Sequence, residues 1–541
     1  VIQRSESAQC ARTLVGQLLA QGVTDFVLAP GSRSAPFALC LEASARAGLL
    51  RLHVRVDERA AGFLALGLAK GSGRSVAVVT TSGTAVGNLT PAVMEAHHSA
   101  VPLLVISADR PSWVVGFGAN QTTEQGGLFT GFLTYTARVQ AGAPAQAWAA
   151  QAARAVLLAE GATGGRRGPA QLNVELPEPL VEGVPDWVAL PGVPVLTGPP
   201  DQAVPVHLPG TPRTLVLCGD ADYETGRAAV RLAEAAGLPL VAEPSSNARF
   251  AVASLATGRL LLAGELGAQV ERVVVFGRPT LSRPVSALLA RAGVEVVVVT
   301  QRADFVDPGW RAGLVVKAVS AEPGPAQWLQ AWRRADIERS AKVAAALSED
   351  DRLTGPGLAA AVVAAVLPDQ VLCLGNSNAI RDADLVPPRS EPPLVFANRG
   401  LSGIDGTVAS AIGIALATGA PTTLLCGDLS FVHDASALAI GPTEPRPALR
   451  IVIADDDGGS IFATLEYGKG EFAAAFERVF ATPIGLDLVA LAAGYGVPAR
   501  RLVSAAEVAA ALAQPVAGLE VLVVPVDRTG RAALAQQLNQ P

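Results

Sequence analysis

The sequence is poor in charge, in cysteine and in long apolar runs, and each shortage removes a class of function. Only 17% of its 541 residues are charged, while 50% are hydrophobic. Such a chain can bury large cores and is not a disordered one. Its net charge of −6 is mild over this length and gives no general attraction to nucleic acid or anionic membrane. The five cysteines (Cys10, Cys40, Cys218, Cys373, Cys426) are scattered, odd in number and never spaced C-x-x-C. They read as buried, reduced thiols of a cytoplasmic protein and argue against a zinc site. No apolar run approaches the roughly 20 residues that span a bilayer. The first residues, "VIQRSESAQCARTLVGQLL", lack the basic-then-apolar order of a signal peptide. An initiator Met is also missing, so a few residues are expected before Val1. No G-x-G-x-x-G follows an apolar run, which weakens the non-enzyme alternative, a nucleotide-binding Rossmann-like scaffold.

What is present is a regular alternation. Short β-rich runs, among them "TDFVLAP", "SVAVVTTSG", "PLLVISADRP", "RTLVLCGD", "RVVVFGRP", "DQVLCLGNS", "TTLLCGD", "LRIVIADD" and "LEVLVVPVD", are separated by helical stretches. Continuous apolar strands between helices mean parallel sheets covered on both faces, an α/β doubly wound architecture. A Pro-rich passage from Leu176 to Pro212 reads as a linker, and a charged helix, "AQWLQAWRRADIERSAKVAAALSEDD", precedes Gly355-Pro356-Gly357. Three domains are expected: 1–184, 185–348 and 349–541. Open parallel sheets bind ligands at the carboxyl ends of their strands, so the polar residues there carry the function.

One such end is Gly427-Asp428-Leu429-Ser430. Alone, it reads as a turn glycine and a helix-capping aspartate. The next strand ends in Asp455-Asp456-Asp457-Gly458-Gly459, one helix and one strand further on, so adjacent strand ends aim acidic groups at one point. Hard oxygen ligands of this kind suit Mg²⁺, which keeps phosphate oxygens and water in its other positions. Ser430 and the N–H groups after it sit at a helix start, where a diphosphate is favoured. A second "LCGD" at Leu217–Asp220, with Asn247 at the matching distance, has no acidic cluster and reads as an echo of repeated architecture.

Glu58 opens a helix that is apolar on nearly every side from Ala60 to Ala69, so it is either paired with Arg55 or Arg59 or functional. Arginines recur in polar turns at Arg33, Arg110, Arg381 and Arg399, a pattern suited to a substrate rich in carboxylates. His97, His98 and His433 read as helix-end and packing residues rather than catalysts. Arg278 and Arg302, each after a middle-domain strand, read as an anion site for a downstream metabolite.

The Gly427–Gly459 context resembles the diphosphate–Mg²⁺ motif of thiamine diphosphate enzymes, with Asp456 standing where Asn is common. "PGSRSAP", "DERAAGFLALGLAKG", "TSGTAVGN", "SADRP", "GANQ", "GNSNAIRD", "NRGLSGIDG", "GDLSFVHD" and "DDDGGSIF" resemble, in order, the motifs of the SEPHCHC synthase family of menaquinone biosynthesis. The resemblance implies pyrimidine-binding, middle and diphosphate-binding domains. It also implies decarboxylation of 2-oxoglutarate and a Stetter-like 1,4-addition of the succinyl unit to isochorismate. Thiamine diphosphate and Mg²⁺ (with Mn²⁺ an admissible substitute) would be the cofactors. It gives Glu58 the activation of the cofactor. Asp428, Asp456 and the Gly458 carbonyl become the metal ligands, and Gly403, Ile404, Leu429 and Ser430 further cofactor contacts. Ser377, Arg381 and Arg399 serve catalysis, with Arg381 and Arg399 gripping the carboxylate of the 2-oxoglutarate-derived part. Ser377, Arg33, Arg110, Asn120 and Gln121 face isochorismate, with Ile461, Phe462 and Leu465 as an apolar wall and Arg283 a basic residue from the middle domain. It further implies a homodimer or homotetramer with active sites between subunits. Another 2-oxoacid decarboxylase or an acetolactate-synthase-like lyase is the alternative enzyme.

Overall fold

The computed structural model describes residues 5–162, 164–181, 187–192, 195–197, 203–210, 212–302, 304–348 and 352–539. Its strands, in chain order, are β1 Asp25–Leu28, β2 Arg51–Val54, β3 Val76–Thr80, β4 Leu103–Asp109, β5 Tyr135–Gln140, β6 Ala170–Glu175, β7 Val206–Leu208, β8 Thr214–Cys218, β9 Leu240–Ala242, β10 Arg272–Phe276, β11 Glu295–Val299, β12 Ala312–Val316, β13 Val319–Ala321, β14 Val371–Leu374, β15 Leu394–Phe396, β16 Thr422–Gly427, β17 Leu449–Asp455, β18 Ala499–Arg501 and β19 Leu519–Pro525. They form three large parallel sheets in the orders β2-β1-β3-β4-β6-β5, β12-β11-β10-β8-β9 and β15-β14-β16-β17-β19-β18, with a small pair β13-β7. The chain is therefore α/β with helix-covered parallel sheets, as the uninterrupted apolar runs require.

Two compact units contain these elements. One is Val1–Pro200 with Gly400–Gly419 and His433–Ala448; the other is Asp201–Arg399 with Ala420–Val432 and Leu449–Pro541. The expected boundaries 184/185 and 348/349 touch residues outside the described ones. The Pro-rich passage is more than a linker. Leu190 N–H donates to the Arg12 carbonyl and Val188 accepts from the Arg12 guanidinium, while Val206–Leu208 is strand β7.

In the first unit the helix Glu58–Ser72 is buried from Ala60 through Ala69. Its neighbour is helix Thr407–Thr418, and at two points the backbones meet directly. A Cβ on Gly67 would lie 2.2 Å from the Ser410 carbonyl oxygen, and one on Gly413 would lie 2.3 Å from that of Leu64. Glycine is required at both points because nothing larger fits.

In the second unit the chain order reverses at β14, which has β15 on one side and β16 on the other. That switch point opens a crevice at the strand ends. The residues bordering it are Gly375–Ser377 after β14 and Gly427-Asp428 after β16. β17 pairs with β16 through Gly427 and Ala454, so the Asp428 and Asp455–Asp457 ends are neighbours.

Candidate active site

The acidic cluster lies in the second unit. Asp428 is buried, accepting from its neighbour Leu429 N–H at Oδ1 (2.8 Å) and from Gly458 N–H at Oδ2 (2.7 Å). Burial raises its pKa to about 7, and the nearby Asp456 carboxylate adds to the rise. Burial likewise lifts Asp456 to about 6, while the Ser460 hydroxyl and Arg531 pull it down. The Asp triplet divides. Asp455 is bound by Arg501 at 3.0 Å, and Asp457, at φ 48°, gives its carbonyl to Arg528 and its carboxylate to Gly485 N–H. Asp456 accepts from Ser460 Oγ and is near enough to Asp428 for its charge to act there. Gly458 takes φ 139°, and a Cβ there would lie 2.4 Å from the Ala481 carbonyl oxygen, which excludes a side chain.

The buried Asp428 carboxylate and the half-buried Asp456 carboxylate, whose charge raises the proton affinity of Asp428, supply oxygen donors on neighbouring strand ends, with Gly458 next in the same loop. That chemistry fits a hard divalent cation carrying phosphate and water in its other positions. Among the described residues no group of three or more His, Cys, Asp and Glu is placed to hold a metal. Ser430 is buried in the short helix Asp428–His433, and Leu429 is partly exposed in its first turn.

The arginines after β14 and β15 are pinned from behind. Arg399 is 2% exposed and donates to Asn376 Oδ1 at 2.7 Å and to Thr280 Oγ1 at 2.9 Å, leaving Nε without a partner. Arg381 donates to the carbonyl of Ser377, a residue at φ 67°. Burial and then the charge of Arg399 lower the Arg381 pKa, while Asp382 opposes the shift. Arg381, Arg283, Ile461 and Leu465 line a cavity of about 720 Å³ that also reaches Arg531. Arg283 is held by Glu466 at 3.1 Å. Phe462 packs in an aromatic cluster with Tyr467 and Phe480 and is not among the cavity-lining residues.

The first unit carries the other set. Glu58 begins its helix behind an Asp57 N-cap, and Asn88 Nδ2 donates to its Oε2 at 3.2 Å. Neither Arg55 nor Arg59 takes it: Arg55 meets Glu444, and Arg59 meets the carbonyl and ring of His433. Arg33 donates to the Leu176 carbonyl and faces Glu178, with burial and the charge of Arg110 lowering its pKa. Arg110 donates to Ser82 Oγ and to the Gln121 carbonyl, and Gln121 Nε2 returns a bond to the Ser82 carbonyl. Arg33, Arg110 and Gln121 thus stand together, with Asn120 exposed beside them. Gly403 and Ile404 lie in the turn before helix Thr407–Thr418, where the Ile404 carbonyl accepts from Thr407. His97 and His98 end their helix stacked edge-on with each other and Phe132. Asn247, the echo residue, clamps the Ala221 carbonyl and the backbone of Val395 in β15. Arg302 is exposed and Arg278 forms a bridge with Asp220.

Several supporting residues carry no sequence signal of their own. Glu95 is a lone buried acid in an otherwise ordinary helix, and Arg531 belongs to no recognisable spacing. Asn378 and Ser460 fall inside "GNSNAIRD" and "DDDGGSIF", but nothing in those motifs says that the two side chains meet.

Residues 9–128 match the family model described as thiamine pyrophosphate enzyme, N-terminal TPP binding domain. The chain is 50% identical over 532 residues to a 2-succinyl-5-enolpyruvyl-6-hydroxy-3-cyclohexene-1-carboxylate synthase of Kineococcus radiotolerans, covering 95% of each chain. Proteins of the same name from a Nocardioides species and from Paenarthrobacter aurescens are 46% and 44% identical, covering 98% and 99% of this chain and 97% and 96% of theirs.

Proposed function

The chain belongs to the 2-succinyl-5-enolpyruvyl-6-hydroxy-3-cyclohexene-1-carboxylate synthase family, thiamine-diphosphate enzymes of menaquinone biosynthesis, and on that premise we propose that it decarboxylates 2-oxoglutarate and adds the succinyl unit to isochorismate. Bound thiamine diphosphate supplies the thiazolium carbon at which a 2-oxoacid loses CO₂ and becomes nucleophilic. Asp428, Asp456 and the Gly458 carbonyl would hold Mg²⁺, or Mn²⁺ in its place, with Leu429 and Ser430 as further cofactor contacts. Glu58 would activate the cofactor, and Gly403 and Ile404 would help to hold it. Arg381 and Arg399 grip the carboxylate of the 2-oxoglutarate-derived part, each charge-assisted bond contributing roughly 1.5–3 kcal/mol, and Ser377 serves the isochorismate side. Arg33, Arg110, Asn120 and Gln121 receive the isochorismate carboxylates, and Ile461, Phe462, Leu465 and Arg283 close the reacting centre.

The three large sheets would be the pyrimidine-binding, middle and diphosphate-binding domains. The enzyme would work in the cytoplasm as a homodimer or homotetramer with sites between subunits. No helix among the described residues is long and apolar enough to cross a membrane. The observation that carries the reading is the buried Asp428 beside the half-buried Asp456 in a chain half-identical, nearly end to end, to a named synthase. Its test is CO₂ release from 2-oxoglutarate with thiamine diphosphate, Mg²⁺ and isochorismate, with the adduct identified by mass. Turnover of pyruvate alone, with isochorismate left untouched, would instead make it a lyase of the acetolactate-synthase kind.

A further inference from the structure

The metal loop is tied to the C-terminal helix Arg531–Asn539 by hydrogen bonds that run in one direction. Arg531 grips the Asp382 carboxylate with two contacts, Nη1 to Oδ2 at 2.9 Å and Nη2 to Oδ1 at 2.7 Å. Its Nη2 also donates to Asn378 Oδ1 at 3.2 Å. Asn378 Nδ2 donates to Ser460 Oγ at 2.7 Å, and Ser460 Oγ donates to Asp456 Oδ2. The direction follows from chemistry. A guanidinium can only donate, so it draws the amide oxygen of Asn378 and turns the NH₂ group towards Ser460. The Ser460 hydroxyl accepts there and keeps its own proton for the Asp456 carboxylate, which when ionised only accepts. Asp382 and Ser460 are both buried, and a Cβ on Gly355 would lie 2.5 Å from Asp382 Oδ2, so backbone closes over the pair.

We propose that Arg531 is a positioning residue for the divalent cation: acting through Asn378 and Ser460, it holds Asp456 by Oδ2 and leaves Oδ1 as the ligand. This rests on the assignment of Asp456 as a metal ligand. Partners behind a ligand orient it, and their loss commonly weakens metal binding by about 10–100-fold.

The test is the Mn²⁺ affinity of the full chain at saturating thiamine diphosphate, read from the electron paramagnetic resonance of free Mn²⁺, with the thermal unfolding midpoint recorded alongside. Ser460→Ala breaks the link next to the ligand and leaves the Arg531–Asp382 pair intact. It is expected to weaken Mn²⁺ binding about ten-fold, and Ser460→Thr to restore it. Arg531→Gln is expected to weaken binding similarly, and the double variant no more than either alone, because members of one network are not additive. Additive losses, or unchanged affinity in Ser460→Ala, overturn the proposal. A lower unfolding midpoint with unaltered affinity overturns it too, since that is the signature of a purely structural role. Should Arg531→Gln fail to fold, the Ala and Thr variants of Ser460 decide the matter. Asp456→Ala separates the two readings: affinity retained there removes the ligand assignment itself. Affinity lost there but kept in Ser460→Ala removes only the role of Arg531.

Discussion

The Glu95 carboxylate accepts from the backbone N–H of Gly400 at Oε1 and from that of Leu401 at Oε2, both at 2.7 Å, while Ser99 donates to it from the same helix. A Cβ on Gly400 would lie 2.6 Å from the Glu95 carbonyl oxygen, so the loop is pressed directly onto the helix. Glu95→Gln would turn an amide NH₂ against one of the two loop donors. The expected loss is about 2 kcal/mol of stability, the usual cost of losing a hydrogen bond to a charged group. Because the same loop leads to Gly403 and Ile404, thiamine diphosphate affinity should fall with it. Denaturant unfolding and a cofactor titration on one preparation check both effects.

Glu58→Gln keeps the Asp57 cap and the helix and can still meet Asn88, so the fold should be unchanged by circular dichroism. Turnover should fall by roughly 10²–10⁴-fold, the range for loss of a positioned acid–base group. Steady-state kinetics at saturating thiamine diphosphate measures it, and wild-type turnover in the variant would remove Glu58 from the mechanism.

Arg399→Ala should raise KM for 2-oxoglutarate by about ten-fold or more, since one charge-assisted contact contributes roughly 1.5–3 kcal/mol. Divalent-cation affinity should stay as it was, because the partners of Arg399 are Asn376 and Thr280 rather than the acidic loop. Parallel kinetics and Mn²⁺ titration separate these quantities.

Glu243 gives a pH dependence with a definite sign. Its Oε1 accepts from Thr280 and Leu281 N–H at 2.7 Å each, and its Oε2 has no partner. Burial raises its pKa to about 7, against the opposing pull of the two N–H groups and Arg399. In the unfolded chain it titrates near 4.3. The folded state therefore binds the extra proton between these values, and stability falls as pH rises through that window. The cost is fully present above about pH 7 and absent below about pH 4. Glu243→Gln should accordingly gain on the wild type between pH 5 and pH 8, seen as a rising difference in unfolding midpoint.

The sheets were legible because their central strands are apolar on both faces: β3, β8, β10 and β14 are buried along their whole length. A reading by apolar runs passes over β5, β12 and β18, whose outer residues remain in solvent. It also passes over β6, "AQLNVE", which is buried throughout yet half polar. There Asn173 joins Ser107, Gln125 and Asp109, and Gln171 donates to Ser107, so most of the polar groups find partners inside, the Gln171 side-chain oxygen excepted. The acidic cluster was legible because it sits at two adjacent strand ends. The link between its supports was not, since Asn378, Ser460 and Arg531 lie far apart from one another in sequence and are joined only by the fold.

The glycine contacts between helices Glu58–Ser72 and Thr407–Thr418 bear on how the protein can move. Where side chains interdigitate, a helix can shift slightly while rotamers take up the change. Here Gly67 meets the Ser410 backbone and Gly413 meets the Leu64 backbone, and nothing deformable lies between. The joint has no slack. Glu58 at the start of one helix and the Gly403-Ile404 turn ahead of the other are therefore carried on a single stiff strut, and displacement of either end is felt at the other.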